Sequence, residues 1–184
     1  MGLREEKKKR TRKLISDIAT CLFFERGYSN VTTAEIAAKA GVSAKTVFNY
    51  FPSKEALVFD EDEETESDLI RTVVNRPDGE RILDALLKAG IANMNTVTSD
   101  QYADFMGLVQ RTPELSLYAQ RMWMRHEQAL ATAIRKESKK KLGEHEARAI
   151  ARFVLDSYHR AMSTPHPTVS LKAMFGVLRE GWSG

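Results

Sequence analysis

Lys45 and Asn49 stand four residues apart in Ser43-Ala44-Lys45-Thr46-Val47-Phe48-Asn49-Tyr50-Phe51. That spacing puts both side chains on one face of a helix. Asparagine bonds bidentately to adenine, and lysine donates to guanine O6 and N7, so the pair carries the chemistry of base reading. Ala44 and Phe48 form a second four-spaced pair, suited to a thymine methyl. Thr46 and Tyr50 place hydroxyls where they would reach phosphate, contacts that position a helix without reading sequence. Thr32 and Thr33 begin the preceding helix, whose dipole and free N–H groups favour phosphate. Lys54 adds a positive charge beyond. Plainer alternatives stand beside these: Phe48 and Tyr50 as core aromatics, Asn49 as a solvated surface residue.

Short helices must hold these side chains, and the flanking residues supply their signals. Thr32 and Glu35 have capping-box spacing, which satisfies orphan N–H groups at a helix start. Ile36, Ala37 and Ala40 give that helix a buried side, and Gly41 ends it with a tight turn. Ser43 is the N-cap of the next helix, which runs to about Phe51 with Val47 and Phe51 inward. Pro52 disfavours its continuation. The helix before this pair begins near Arg10, carries Leu14, Ile15, Ile18, Leu22 and Phe23 on one face, and stops at Gly27. Two helices over such a turn let the second lie in the major groove.

Beyond the head, apolar spacings of three and four persist and strand signals are nearly absent. The expected helices are Lys54–Asn75, Asp78–Thr96, Asp100–Gln110, Pro113 to about Lys141, Glu144–Met162 and Thr168–Trp182. The fold class is therefore all-α with about nine helices: a helix-turn-helix domain over residues 1–54 and a helical body over 55–184.

Residues 1–54 hold eleven Lys/Arg against five Asp/Glu, whereas the remainder holds seventeen against twenty. A basic head on a mildly acidic body is the footprint of a nucleic-acid binder, with a solvated charged tail as the alternative. Residues 1–9, with the cluster Lys7–Arg10, are expected to form a flexible arm that adds phosphate or minor-groove contacts. No apolar run is long enough for a membrane span, and the basic N-terminus lacks the apolar stretch of a secretory signal. The single cysteine, Cys21, forms no internal disulfide, so the cytoplasm is the expected compartment. Nucleophile elbow, P-loop and dinucleotide fingerprint are all missing. His126, His145, His159 and His166 never fall at the i, i+4 spacing of a helical metal pair. A non-enzyme without cofactor or metal is expected.

In the body, Phe105, Met106, Tyr118, Trp123 and Tyr158 are candidate pocket residues, pointing to an apolar or aromatic effector; ordinary core is the alternative. The last two helices carry more apolar residues than a one-sided helix needs. Phe153, Val154, Leu171, Met174, Phe175 and Leu178 are accordingly assigned to a two-fold dimer interface. The acidic run Asp60–Glu66 reads as a solvated face, or as a guard that keeps its helix off phosphates.

The string Thr32-Thr33-x-x-Ile36-Ala37-x-x-Ala40-Gly41-Val42-Ser43-x-x-Thr46-Val47-Phe48-x-Tyr50-Phe51-Pro52-Ser53-Lys54-Glu55-x-Leu57 resembles the TetR/AcrR family of bacterial regulators. Ala19-x-x-Leu22-Phe23-x-x-x-Gly27-Tyr28 fits that family's first helix, so the resemblance covers roughly residues 10–57. It implies a homodimer on a near-palindromic double-stranded DNA operator, released by a small molecule in the C-terminal domain. By position it implies DNA contacts at Thr33, Lys45, Thr46, Phe48, Asn49, Tyr50 and Lys54. Repression is the reading carried forward. Activation by the same fold and nonspecific architectural binding are its alternatives.

Overall fold

Apolar residues at spacings of three and four recur along the chain and favour helices. The computed structural model describes residues 2–181. Met1 and Trp182, the latter expected at the end of the last helix, lie outside the described residues. Among these there are nine α-helices and no strand: α1 (Leu3–Arg26), α2 (Thr33–Lys39), α3 (Ala44–Tyr50), α4 (Asp62–Val74), α5 (Ile82–Met94), α6 (Ser99–Arg111), α7 (Pro113–Glu137), α8 (Glu144–Met162) and α9 (Pro167–Glu180). Single 3-10 turns occupy Tyr28–Asn30 and Glu55–Leu57. The chain divides into two compact units. One holds the chain up to Glu63 with Leu108–Tyr118; the other holds Glu64–Gly107 and the chain from Ala119 onward.

In the first unit, α1 starts at Leu3 rather than near Arg10, so Lys7–Arg10 stand on a helix instead of a flexible arm. Glu5 and Glu6 fall in its first turn, where the helix dipole favours acids. Ile15, Ala19, Leu22 and Phe23 form its buried stripe with Ile36, Ala37, Val47 and Phe51. Leu14, expected on the same stripe, is 48% exposed. The α2–α3 turn is held by its own backbone. Gly41 has φ +66°, and its N–H donates to the Ala38 carbonyl at 3.2 Å while Val42 N–H donates to Ala37 at 3.0 Å. This is a Schellman closure, which requires the left-handed residue that glycine supplies.

The unit runs past residue 54 because Ala56, Leu57 and Phe59 are buried within it. The helix expected from Lys54 begins only at Asp62. Ser53 Oγ accepts from Ala56 N–H at 3.3 Å, and Arg12 takes the Asp60 carbonyl at 2.8 Å, which favours a turn over a continuous helix. Asp62, Glu63 and Glu64 then occupy the first turn of α4, where the dipole offsets their crowding.

The second unit is built around Leu86, Leu130, Val154, Leu171 and Phe175, all at 0% exposure. Gly90 on α5 lies under the Tyr158 ring, and a Cβ there would come within 3.0 Å of Leu171 Cδ2. Tyr158 donates to the Leu86 carbonyl at 2.6 Å and stacks on Phe175 at 6.0 Å. The dimer assignment changes accordingly. Val154, Leu171 and Phe175 fill this chain's own core, while Phe153, Val169 and Val177 are exposed and Met174 and Leu178 half-buried. Part of the apolar surplus on α8 and α9 is taken up by α5, which buries one face of each.

Gly90→Ala should destabilise the fold by about 1–3 kcal/mol through overpacking. Gly41→Ala has open space around it and should cost about 1–2 kcal/mol from backbone conformation alone. Urea unfolding followed by circular dichroism measures both. A Gly90→Ala variant as stable as the parent would contradict the close approach.

Candidate nucleic-acid interface

The faces of α3 divide by helical geometry. Val47 and Phe51 are 1% exposed. Ala44, Lys45, Phe48 and Asn49 face outward, and Phe48 is 52% exposed, so it is not a core aromatic. Ser43 Oγ accepts from Thr46 N–H at 3.0 Å, and the two hydroxyls lie 2.8 Å apart. The Thr46 hydroxyl is thus part of the cap as well as a phosphate candidate. Tyr50 is half-buried.

At the start of α2 the capping box is complete. Thr32 N–H and hydroxyl both donate to Glu35 Oε2 at 2.8 Å, and Glu35 N–H donates to Thr32 Oγ1 at 3.2 Å. Arg26 approaches Glu35 Oε1 at 3.1 Å. The Thr32 backbone N–H, then its hydroxyl and Arg26, hold the Glu35 carboxyl below its usual range. Thr33, half-buried, is the first residue of α2.

Two cations tie distant segments of this unit together, and one of them carries no signal in the local sequence. Arg12 on α1 donates to the Tyr50 carbonyl at 2.7 Å and the Asp60 carbonyl at 2.8 Å. Its guanidinium lies 4.4 Å from the Phe51 ring centroid. It closes the C-terminal end of α3, where unpaired carbonyls and the dipole favour a cation. Lys54, expected as a phosphate anchor, turns inward. Its Nζ donates to the Tyr28 carbonyl at 2.6 Å and sits 4.0 Å above the Tyr28 ring. Burial lowers its pKa. The Tyr28 hydroxyl in turn donates to Glu55 at 2.8 Å, and burial foremost raises the pKa of that phenol. Lys7, Lys8, Lys9 and Arg10 remain exposed on α1.

The candidate effector residues have separate fates. Tyr118, in the first unit, stacks on Phe59 at 5.2 Å. Tyr158 is committed to the α5–α8–α9 core. Phe105 and Met106 are half-buried on α6. Trp123 lines a cleft of about 340 Å³ with Gln120, Met124, Leu155, Asp156 and His159. A shallower groove of about 700 Å³ lies between α4 and α7, over Ile70, Val74 and Met124. Among the described residues no three His, Cys, Asp or Glu side chains converge as metal ligands would. No helix there is long and apolar enough to cross a membrane.

A tight left-handed turn between two short helices, the second exposing Lys45, Phe48 and Asn49, defines a helix-turn-helix protein. Residues 15–60 match the family described as bacterial regulatory proteins, tetR family. The HTH-type transcriptional regulator TcmR of Streptomyces glaucescens is 31% identical over 122 residues, covering 62% of this chain and 54% of that protein. The matched part of the chain thus spans little more than half the length of that relative. Residues 15–60 thus resemble the N-terminal domain of the tetR family of bacterial regulatory proteins. The all-helical fold is shared over most of the length. NalD of Pseudomonas aeruginosa, the secondary repressor of the MexAB-OprM multidrug efflux pump, superposes with a TM-score of 0.63 at 20% identity, covering 95% of this chain and 100% of that one. The TetR-family repressor FadR of Thermus thermophilus, solved with lauroyl-CoA, gives 0.61 at 22% identity, covering 94% and 95%.

Arg12→Met should destabilise the first unit by about 1.5–3 kcal/mol, since it deserts two carbonyls that accept from a charged donor. Arg12→Lys should recover only part, because one ammonium cannot reproduce the guanidinium fork. Thermal melting of both variants checks this. Equal stability of Arg12→Met and the parent would show that the closure contributes nothing.

Proposed function

We propose that this chain is a ligand-responsive transcriptional repressor in the cytoplasm. It binds a near-palindromic operator as a homodimer and is released by a small apolar or aromatic effector. The observation that carries the reading is the outward face of α3. Lys45 and Asn49 are exposed there, on a helix whose opposite side is buried at Val47 and Phe51. Such a face fits the major groove, with lysine and asparagine as base readers. Thr33, Thr46 and Tyr50 flank it as phosphate anchors, and Lys7–Arg10 on α1 add charge to the same unit. Lys54 stabilises the head from within.

Homodimerisation is supported by Phe153, Val169 and Val177, large apolar side chains exposed on α8 and α9. Two copies must hold their reading helices about 34–36 Å apart, or a multiple of that, to engage successive turns of DNA. An effector that favours another separation lowers DNA affinity by shifting the population. Control by an effector is supported by a neighbour of the same fold, FadR, solved with lauroyl-CoA.

Selection of bound sequences from a random DNA pool should return two inverted half-sites. Asn49→Ala should relax preference at one base pair per half-site, at about 1–3 kcal/mol of discrimination. Tyr50→Ala should weaken binding to all sequences alike. Pools without enrichment would overturn the operator reading, and a monomer in micromolar sedimentation runs would overturn the dimer.

A further inference from the structure

Helices α7 and α8 are pinned together at Glu127. This carboxylate is 8% exposed. It accepts from Arg148 Nε at 3.0 Å and Nη2 at 2.9 Å, with Arg152 Nη1 at 3.4 Å. About one turn earlier on α7 lies the cleft of about 340 Å³, with Gln120, Trp123 and Met124 on one side and Leu155, Asp156 and His159 on the other. Its size falls at the small end of ligand sites, room for about one ring system. Its lining mixes an indole, a thioether and an aliphatic side chain with a few polar groups, the usual make-up of such a site.

The polar groups carry a definite pattern. Arg152, which also lines the cleft, is held by Glu127 and by Asp156 at 3.2 Å, so its charge is already neutralised. His159 Nδ1 is bonded to the Tyr102 hydroxyl of α6. The same hydroxyl lies 3.5 Å from the His159 carbonyl, so the imidazole tautomer decides whether it donates to Nδ1 or accepts from it. When it donates to Nδ1, the ring N–H is on Nε2. That tautomer brings an N–H donor to the cleft, beside the Trp123 ring at 6.2 Å between centroids.

We infer that this cleft is the effector site, and that it takes a small, uncharged aromatic molecule bearing a hydrogen-bond-accepting oxygen. The ring packs on Trp123 and the oxygen accepts from His159 Nε2–H. The paired state of Arg152 explains why the ligand is uncharged: a carboxylate would have to displace Asp156. This assignment rests on the ligand-responsive reading above and deepens it.

The test uses the full chain with Trp182→Phe, so that Trp123 is the only indole reporting. Acetophenone, ethylbenzene and benzoate are titrated against its fluorescence. Acetophenone should give a saturable change. Ethylbenzene, which lacks the acceptor, should bind about ten-fold more weakly, the worth of one hydrogen bond. Benzoate should bind no more tightly than acetophenone. His159→Ala should abolish the preference for the ketone, and His159→Gln, which keeps an N–H donor, should restore part of it. Circular dichroism confirms that both variants are folded. Equal affinity for acetophenone and ethylbenzene, a preference that survives His159→Ala, tighter binding of benzoate, or no saturable response at millimolar acetophenone would each overturn the assignment. Operator affinity measured without any probe reports separately on the regulator reading. Intact operator binding with an unresponsive cleft would sink the cleft alone.

Discussion

Every helix leaves carbonyls at its C-terminal end without an intrahelical partner, and much of this structure is organised by how they are satisfied. Arg12 takes the carbonyls of Tyr50 and Asp60. Lys54 takes that of Tyr28, just after α1. Arg76 gathers those of Val73, Glu80 and Glu137 in the second unit. At Tyr50, Val73 and Glu137, in the last turns of α3, α4 and α7, a charged donor satisfies the acceptor and complements the negative end of the helix dipole. The bonds of Arg12 to Tyr50 and Asp60, of Lys54 to Tyr28 and of Arg76 to Glu137 also hold together chain segments that are distant in sequence.

That constraint divides the basic residues of the head. Net charge treats Arg12, Lys45 and Lys54 alike. Two of them are spent inside the unit, lying over aromatic rings, where cation–π attraction adds to the hydrogen bonds. Lys45 is exposed on the outer face of α3. Arg12 and Lys54 are held against carbonyls and rings, whereas the α1 cluster Lys7–Arg10 is exposed. Extension of α1 to Leu3 fixes those cations along a helix instead of leaving them on a loose arm.

The second unit shows the same logic in its core. Tyr158 covers Gly90 and bonds the Leu86 carbonyl, so α5 comes close enough to bury one face of α8 and of α9. A tyrosine that looked equally suited to a ligand is thereby committed to packing. Trp123 is half-buried, edge-on to His126 on its own helix and to His159 on α8. The Glu127–Arg148 pair fixes α7 against α8 close by. A buried carboxylate satisfied by two guanidiniums defines geometry more than it adds stability.

The sequence by itself determined what is local. The Thr32–Glu35 box, the Gly41 turn, the Ser43 cap and the alternation of faces along α3 depend on residues three to five apart, and the structure has them as the residues require. The number of helices and the span of α8 were legible for the same reason. Tertiary structure alone decided what depends on a partner far along the chain. Arg12 reaches Tyr50 across 38 positions, Lys54 reaches Tyr28 across 26, and Tyr158 reaches Leu86 across 72. Periodicity identifies an apolar or basic side chain, but which acceptor or which helix face it meets is set only when distant segments are packed. That is why Lys54 turned from phosphate anchor to internal brace, and why Val154, Leu171 and Phe175 moved from an expected interface into the core.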